Sequence, residues 1–200
     1  MADVDPRLIA AIRRQLANRP DAARIGWKVG RGDRERIGGE IVVGHLTEAT
    51  LLDRNGTYDG GGAALHADAE VALHIGDSGA IAAYGAALEI VDLGGDGDAE
   101  TIVANNVFHR AVAFGDPARG LPHDCRGALF VDGVLRADAA VRESFEQTLR
   151  VVARILSAVG ERLRSGDRVI TGSVVQVAVA GGDLVAADFG ALGRVEVAIG

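Results

Sequence analysis

The sequence predicts an α+β fold. Two stretches carry apolar residues at helical spacing, and they stand far apart, at residues 5–18 and 139–163. The segments between and after them are short apolar runs bounded by glycine-rich turns, the pattern of strands. The order is not a regular strand–helix alternation, so a doubly wound parallel sheet is not expected. Two hundred residues without internal repeats or a separable linker suit one domain, residues 1–200, with 1–23 as an N-terminal helical segment.

In chain order, Leu8, Ile9, Ile12 and Leu16 form one face of the first helix, opposite Arg13 and Arg14, with Pro20 past its end. Residues 25–30 read as a short strand. Residues 31–39 are charged and glycine-rich and read as a mobile loop. Thr47 is placed to cap a short helix running to Leu52. Residues 67–75 and 81–93 are apolar segments joined by Gly76-Asp77-Ser78-Gly79, a hairpin signal. Residues 101–115 are apolar with polar interruptions. Strands are expected on both sides of the Asp132-Gly133 turn. The longest helix is expected at 139–163, with Val141, Phe145, Leu149, Val152, Ile155, Leu156 and Val159 inward. Strands divided by Gly172, Gly181-Gly182 and Gly190 complete the chain.

Composition narrows the function. Hydrophobic residues make up 48% of the chain, enough for a proper core, and the net charge of −7 argues against non-specific nucleic-acid binding. No apolar run is long enough to span a bilayer, and the first residues lack a signal-peptide core. The one cysteine, Cys125, excludes an internal disulfide and a cysteine-based metal cluster. A soluble cytoplasmic protein is expected.

Twenty arginines accompany a single lysine, Lys28, in the run Gly26-Trp27-Lys28-Val29-Gly30. Arginine stays charged at every working pH, whereas burial can tune a lysine to give up or take a proton. Lys28 is therefore a candidate for chemistry, or one lysine left in an arginine-biased chain. Asp68 and Glu70 stand two residues apart in a strand-like segment, so they share a face. Glu89 sits in an apolar strand, where an unpaired acid is costly. Three carboxylates from neighbouring strands suit a hard divalent ion such as Mg²⁺ or Mn²⁺. The alternative is that Asp68 and Glu70 line a solvated face and Glu89 pairs with an arginine. His74 shares the face of Glu70. His45, His66 and His123 have no partner at metal spacing. Ser173 lacks a nucleophile-elbow motif, and the glycine clusters at 60–62 and 94–97 lack the lysine of a phosphate loop.

Taken in order, these segments resemble the fumarylacetoacetate hydrolase superfamily, in its 2-hydroxypentadienoate hydratase and 4-oxalocrotonate decarboxylase branch. The resemblance rests on Gly26-Trp27-Lys28-Val29-Gly30, on Gly44-His45-Leu46-Thr47, and on Ala67-Asp68-Ala69-Glu70-Val71-Ala72. It rests further on the segment 87–92 around Glu89, on Ala104-Asn105-Asn106, and on the closing segments 166–173, Gly182-Asp183 and 191–195. It implies a mixed β-sheet roll. It implies Asp68, Glu70 and Glu89 as ligands of Mg²⁺ or Mn²⁺, Lys28 as the catalytic group, and Asn105, Asn106, His109 and Ser173 as substrate-binding residues. The implied reaction is hydration of a 2-hydroxy-2,4-dienoate, or 2-oxo-4-enoate, through an enolate. Decarboxylation, C–C hydrolysis and tautomerisation share that core. A non-catalytic partner subunit is a further alternative. A small 2-oxo acid and a homo-oligomeric assembly are the expected partners. Departures are Asp68 for a glutamate, Val42 and Val43 for an acid and a phenylalanine, and Phe108 and His109 for small serines. No histidine–glutamate pair stands at residues 31–40, where the C–C hydrolases carry their water-activating dyad.

Overall fold

The computed structural model describes residues 5–31, 41–95 and 97–200. The expected loop at 31–39, and the stretch 31–40 where the C–C hydrolases carry their dyad, therefore lie almost wholly outside the described residues. Helix α1 (Pro6–Ala17) leads into β1 (Arg24–Arg31) and β2 (Ile41–Thr47), followed by a single turn of 3₁₀ helix, Glu48–Thr50. Next come β3 (Thr57–Tyr58), β4 (Leu65–Ile75), β5 (Ile81–Asp92), α2 (Ala99–Ala104) and β6 (His109–Phe114). The chain continues through β7 (Arg126–Val131), β8 (Val134–Ala140), α3 (Phe145–Ala158), β9 (Arg168–Ile170), β10 (Val175–Ala178), β11 (Leu184–Asp188) and β12 (Arg194–Ile199). The strands form two sheets. A seven-stranded one runs β2-β1-β9-β4-β5-β6 with β10 also beside β4, and a five-stranded one runs β3-β12-β11-β7-β8. Both are mixed, because β1–β9 and β12–β3 pair in parallel and the other pairs are antiparallel. The α+β expectation holds. No helix among the described residues is long and apolar enough to cross a membrane.

Local signals account for the first helix. Asp5 caps it, its carboxylate accepting from the Arg7 amide at 2.9 Å, and Pro6 fills a position where no amide is needed. Leu8, Ala11, Ile12 and Gln15 face inward. The Gln15 amide donates to the carbonyls of Val43 (3.2 Å) and Val103 (2.6 Å), joining β2 to α2. The helix expected over 139–163 is shorter. Ala139 and Ala140 belong to β8, paired with Gly127 and Arg126 of β7. The helical preference of the alanine-rich start is overridden by that ladder, and α3 begins at Phe145. Thr47 precedes only the 3₁₀ turn and makes no side-chain capping bond. The stretch 101–115 divides between α2 and β6.

The large sheet has two unlike faces. Trp27, Val29, Ala69, Val71, Leu73, Leu88, Ile90 and Ala113 pack against Leu129, Val185, Ala187, Val195 and Val197 of the second sheet in the main core. Period-two alternation turns their neighbours Lys28, Asp68, Glu70 and Glu89 to the opposite face. That face also holds a separate small apolar cluster of Leu46, Ala72, Ala87, Val112, Phe114 and Ile170. The sheet curls until its outer strands are bridged. The Leu52 amide, past β2, donates to Val112 of β6 at 2.9 Å, and the Thr50 hydroxyl meets His109 Nε2 at 2.9 Å.

Candidate active site

Lys28 lies opposite Gly44 in the β1–β2 ladder, and its stem runs where a side chain at Gly44 would otherwise be. A Cβ there would stand 2.6 Å from Lys28 Cγ and 2.7 Å from Asn106 Oδ1. At Gly30 it would stand 2.6 Å from Val107 Cγ1. The glycines of the motif thus make room for the lysine and for the turn that covers it. The side chain of Lys28 is 4% exposed. Nζ donates to Glu89 Oε1 at 2.6 Å and to the Val107 carbonyl at 2.9 Å. An ammonium has three donors, so one is left for a ligand in the cavity that Lys28 lines.

Asp68 and Glu89 face each other across β4 and β5, and Glu70 follows on the same face of β4. All three are buried, and one oxygen from each lies within 4.8 Å of the others. They do not line a solvated face, and Glu89 pairs with Lys28 rather than with an arginine. Burial, then the charge of Glu89, raises the pKa of Asp68 to about 7, against hydrogen bonds from Gln176 and Ser173. Burial and the charges of Glu89 and Asp68 raise Glu70 well above the usual carboxylate range. At Glu89 burial works in the same direction, but the Lys28 charge and the His109 hydrogen bond outweigh it and hold the carboxyl low.

Three acids against one ammonium leave a surplus of buried carboxyls that cannot all ionise without a further cation. Asp68 Oδ1 and Glu89 Oε2 have no hydrogen-bond partner among the described residues. Buried acceptors without partners are costly. The oxygen-only donor set, the surplus carboxyls and the orphaned atoms together fit a hard divalent cation. The Glu70 carboxylate is steadied by the Gly172 amide at 2.7 Å.

The cover over Lys28 is an unusual turn. Asn106, Val107 and Phe108 have φ of 62°, 53° and 65°, three successive non-glycine residues in the left-handed region. Such positions cost about 1–3 kcal/mol each and persist only when the surroundings hold them. Here the Asn106 side chain pairs with the His45 backbone in both directions, accepting from its amide at 2.8 Å and donating to its carbonyl at 3.0 Å. The Phe108 carbonyl accepts from the Asp92 amide at 3.0 Å. The turn therefore aims the Val107 carbonyl at Lys28.

Beyond this turn, Ile90 pairs with Ala111 but Val91 pairs with His109, so Arg110 is an extra residue in β6. This bulge reverses the alternation and brings His109 onto the acid-bearing face. His109 Nδ1 meets Glu89 Oε1 at 2.6 Å.

The acids and Lys28 form one wall of a cavity of ≈370 Å³ whose lining includes the apolar Val91, Leu93, Val107 and Phe108, with Arg31, Ser173 and Gln176 as further polar groups. That volume suits a small ligand. Of the residues singled out from sequence, Lys28, Asp68, Glu70, Glu89 and Ser173 meet at this cavity. Asn105 lies at a separate recess of ≈190 Å³ beside Asp92. Asn106 is engaged with the β2 edge, and His109 sits behind Glu89 rather than on the cavity wall. His74 is further along the face of Glu70, with Nε2 unpartnered among the described residues. Sequence reading missed Gln176, which stands opposite Asp68 in the β10–β4 pairing, and Arg31, at the end of β1. Only the strand assignment of β10 could have suggested Gln176.

No family model matches the sequence, and no curated protein matches it. Solved structures do. The chain is similar to 4-oxalocrotonate decarboxylase from Pseudomonas putida G7, complexed with calcium and acetate, with a TM-score of 0.82 at 19% identity over 96% of this chain and 85% of that one. It is similar to fumarylpyruvate hydrolase from Pseudomonas aeruginosa in complex with Mn²⁺ and pyruvate, with a TM-score of 0.62 at 17% identity over 89% of each chain. It is also similar to 2-hydroxyhepta-2,4-diene-1,7-dioate isomerase from Mycobacterium marinum, with a TM-score of 0.65 at 15% identity, covering 89% and 74% of the two chains. These likenesses show the fold, which is the mixed-sheet roll that the sequence resemblance implied.

Proposed function

We propose that this chain is a metal-dependent lyase of the fumarylacetoacetate hydrolase superfamily that adds water to a 2-hydroxy-2,4-dienoate or its 2-oxo-4-enoate form. The observation that carries the reading is the group of three buried acids whose oxygens lie within 4.8 Å of one another, with Lys28 Nζ 2.6 Å from one of them, on a cavity wall. Asp68, Glu70 and Glu89 would hold the cation. A divalent ion held there would supply Lewis acidity toward the carbonyl of a 2-oxo acid. Lys28 holds a proton at Nζ and delivers or removes it at the substrate, a role arginine cannot take. Its bonds to Glu89 and Val107 fix the direction of the remaining N–H. The apolar wall of Val91, Leu93 and Phe108 excludes bulk water and accepts the hydrocarbon end of the acid. Ser173 and Gln176 supply polar contacts beside Asp68.

A second reading is decarboxylation of a 2-oxo diacid on the same residues. What supports it is the shared fold of the decarboxylase, with a TM-score of 0.82. An ultraviolet time course with 2-hydroxypenta-2,4-dienoate tests the first reading, run with Mg²⁺ or Mn²⁺ and with EDTA. The expected result is metal-dependent loss of the conjugated absorbance with a 4-hydroxy-2-oxo acid as product. Carbon dioxide release from an unsaturated 2-oxo diacid, without hydration of the monoacid, would replace it with the second. No turnover of either by folded, metal-loaded protein would leave C–C hydrolysis, tautomerisation or a non-catalytic partner subunit.

A further inference from the structure

We infer that His109 is a positioning residue for Glu89, selecting which carboxylate oxygen is left to ligate a cation. The inference rests on the metal-centre reading above. Lys28 Nζ and His109 Nδ1 both donate to the same oxygen, Oε1, each at 2.6 Å. The other oxygen, Oε2, is buried and has no hydrogen-bond partner among the described residues. Rotating the carboxylate would break two charge-assisted bonds at once. Oε1 is thus committed to the protein and Oε2 to the ligand.

The direction of the contacts follows from the groups themselves. An ionised carboxylate only accepts, so His109 carries its hydrogen on Nδ1. Nε2 then accepts, and the Thr50 hydroxyl stands 2.9 Å away to donate. The alternative acceptor for that hydroxyl, the Thr47 carbonyl, is farther at 3.3 Å. The result is a one-way chain from Thr50 through His109 to Glu89, of the kind that orients metal-bound carboxylates and imidazoles elsewhere. His109 is 5% exposed and is not on the cavity wall, so it acts through Glu89 and not on substrate. The bulge at Arg110 is what makes the contact, since unbroken alternation would turn position 109 toward the core.

The test is Mn²⁺ titration of metal-stripped full-length protein by calorimetry. His109→Leu is expected to weaken Mn²⁺ binding by roughly 10- to 100-fold, the usual loss for a group that orients a ligand. His109→Asn places an amide N–H where Nδ1 was and is expected to restore affinity to within about threefold. Wild-type affinity in His109→Leu overturns the inference. So does an asparagine variant as weak as the leucine one, because the ring and not its N–H would then matter. If His109→Leu fails to fold by circular dichroism, Thr50→Val takes its place. A several-fold loss there supports the chain, and unchanged affinity overturns it. Wild-type protein that binds no Mn²⁺ is a different failure, that of the metal-centre reading itself.

Discussion

Two ionic clusters lie buried against β1, four residues apart, and they are assembled differently. At Arg24 the guanidinium donates to Asp167 through Nε and Nη2 at 3.0–3.2 Å and to Glu161 through Nη1 at 3.0 Å. Asp167 also accepts from the Arg164 amide at 2.8 Å, and the guanidinium lies 5.0 Å from the Trp27 ring centroid. Arg19 and Arg164 approach Glu161 from outside. Donors match acceptors and the charges are covered. At Lys28 three acids share one ammonium, and two buried oxygens lack partners among the described residues. Both clusters are ion pairs by geometry. Only the first is complete without a ligand, and the surplus of acids at the second is what the proposed metal centre would use.

The contrast can be broken experimentally, first at Lys28. Lys28→Arg keeps the charge and removes the amine that can pass a proton, so turnover is expected to fall by roughly 10³-fold, within the range for a lost acid–base group. The far-ultraviolet circular dichroism of the variant should match wild type. Near-normal turnover would mean that charge alone suffices, as it does at Arg24. Next, Arg24→Met leaves Asp167 buried without its cation and should destabilise the protein by about 3–5 kcal/mol in urea unfolding. Its Mn²⁺ affinity should stay at the wild-type value, and a large fall would tie the two clusters together.

The smallest effect is in pH. Asp68 keeps its proton in the metal-free folded chain up to about 7, whereas its ordinary value is 3.8. The folded state therefore binds more protons between those values, so its stability falls as pH rises through that window. Glu70 shifts in the same direction. Glu89 has the opposite sign: its contribution is present above the ordinary 4.5 and is lost only in strong acid. In EDTA the thermal midpoint is expected to drop by roughly 5 °C from pH 5.5 to pH 8. Saturating Mn²⁺ should raise the midpoint more at pH 8, because it binds deprotonated ligands. A midpoint that climbs with pH in EDTA would show that the acids are not in surplus.

The charged half of this site was legible because its signals are local. Asp68 and Glu70 at period two, Glu89 in an apolar run and Lys28 among glycines need only strand assignments to meet. What was not legible depends on pairings between distant segments. The reach of His109 to Glu89 requires an extra residue in β6 that nothing in the sequence announces. Asn106 resembled a substrate-binding residue, yet its amide is spent on the edge of β2, a contact made by curling of the sheet. The start of α3 is not legible locally, because Ala139 and Ala140 favour helix in isolation and become strand only beside β7. Gln176 carries no local signal, since polar residues on short strands are ordinary and its place opposite Asp68 comes only from strand pairing.

One strand carries both the core and the chemistry. Along β4, Asp68 and Glu70 turn to the cavity while Ala69 and Val71 turn to the other sheet. A gene that gained or lost a single codon inside this strand would, unless a bulge absorbed it as at Arg110, exchange the two roles on one side of the change and drive carboxylates between the sheets. Substitutions can alter β4 one property at a time, but a change of length alters all of them together. Growth or shortening of the chain in its descendants should therefore fall in turns such as Gly76-Asp77-Ser78-Gly79, and β4 should keep its eleven positions.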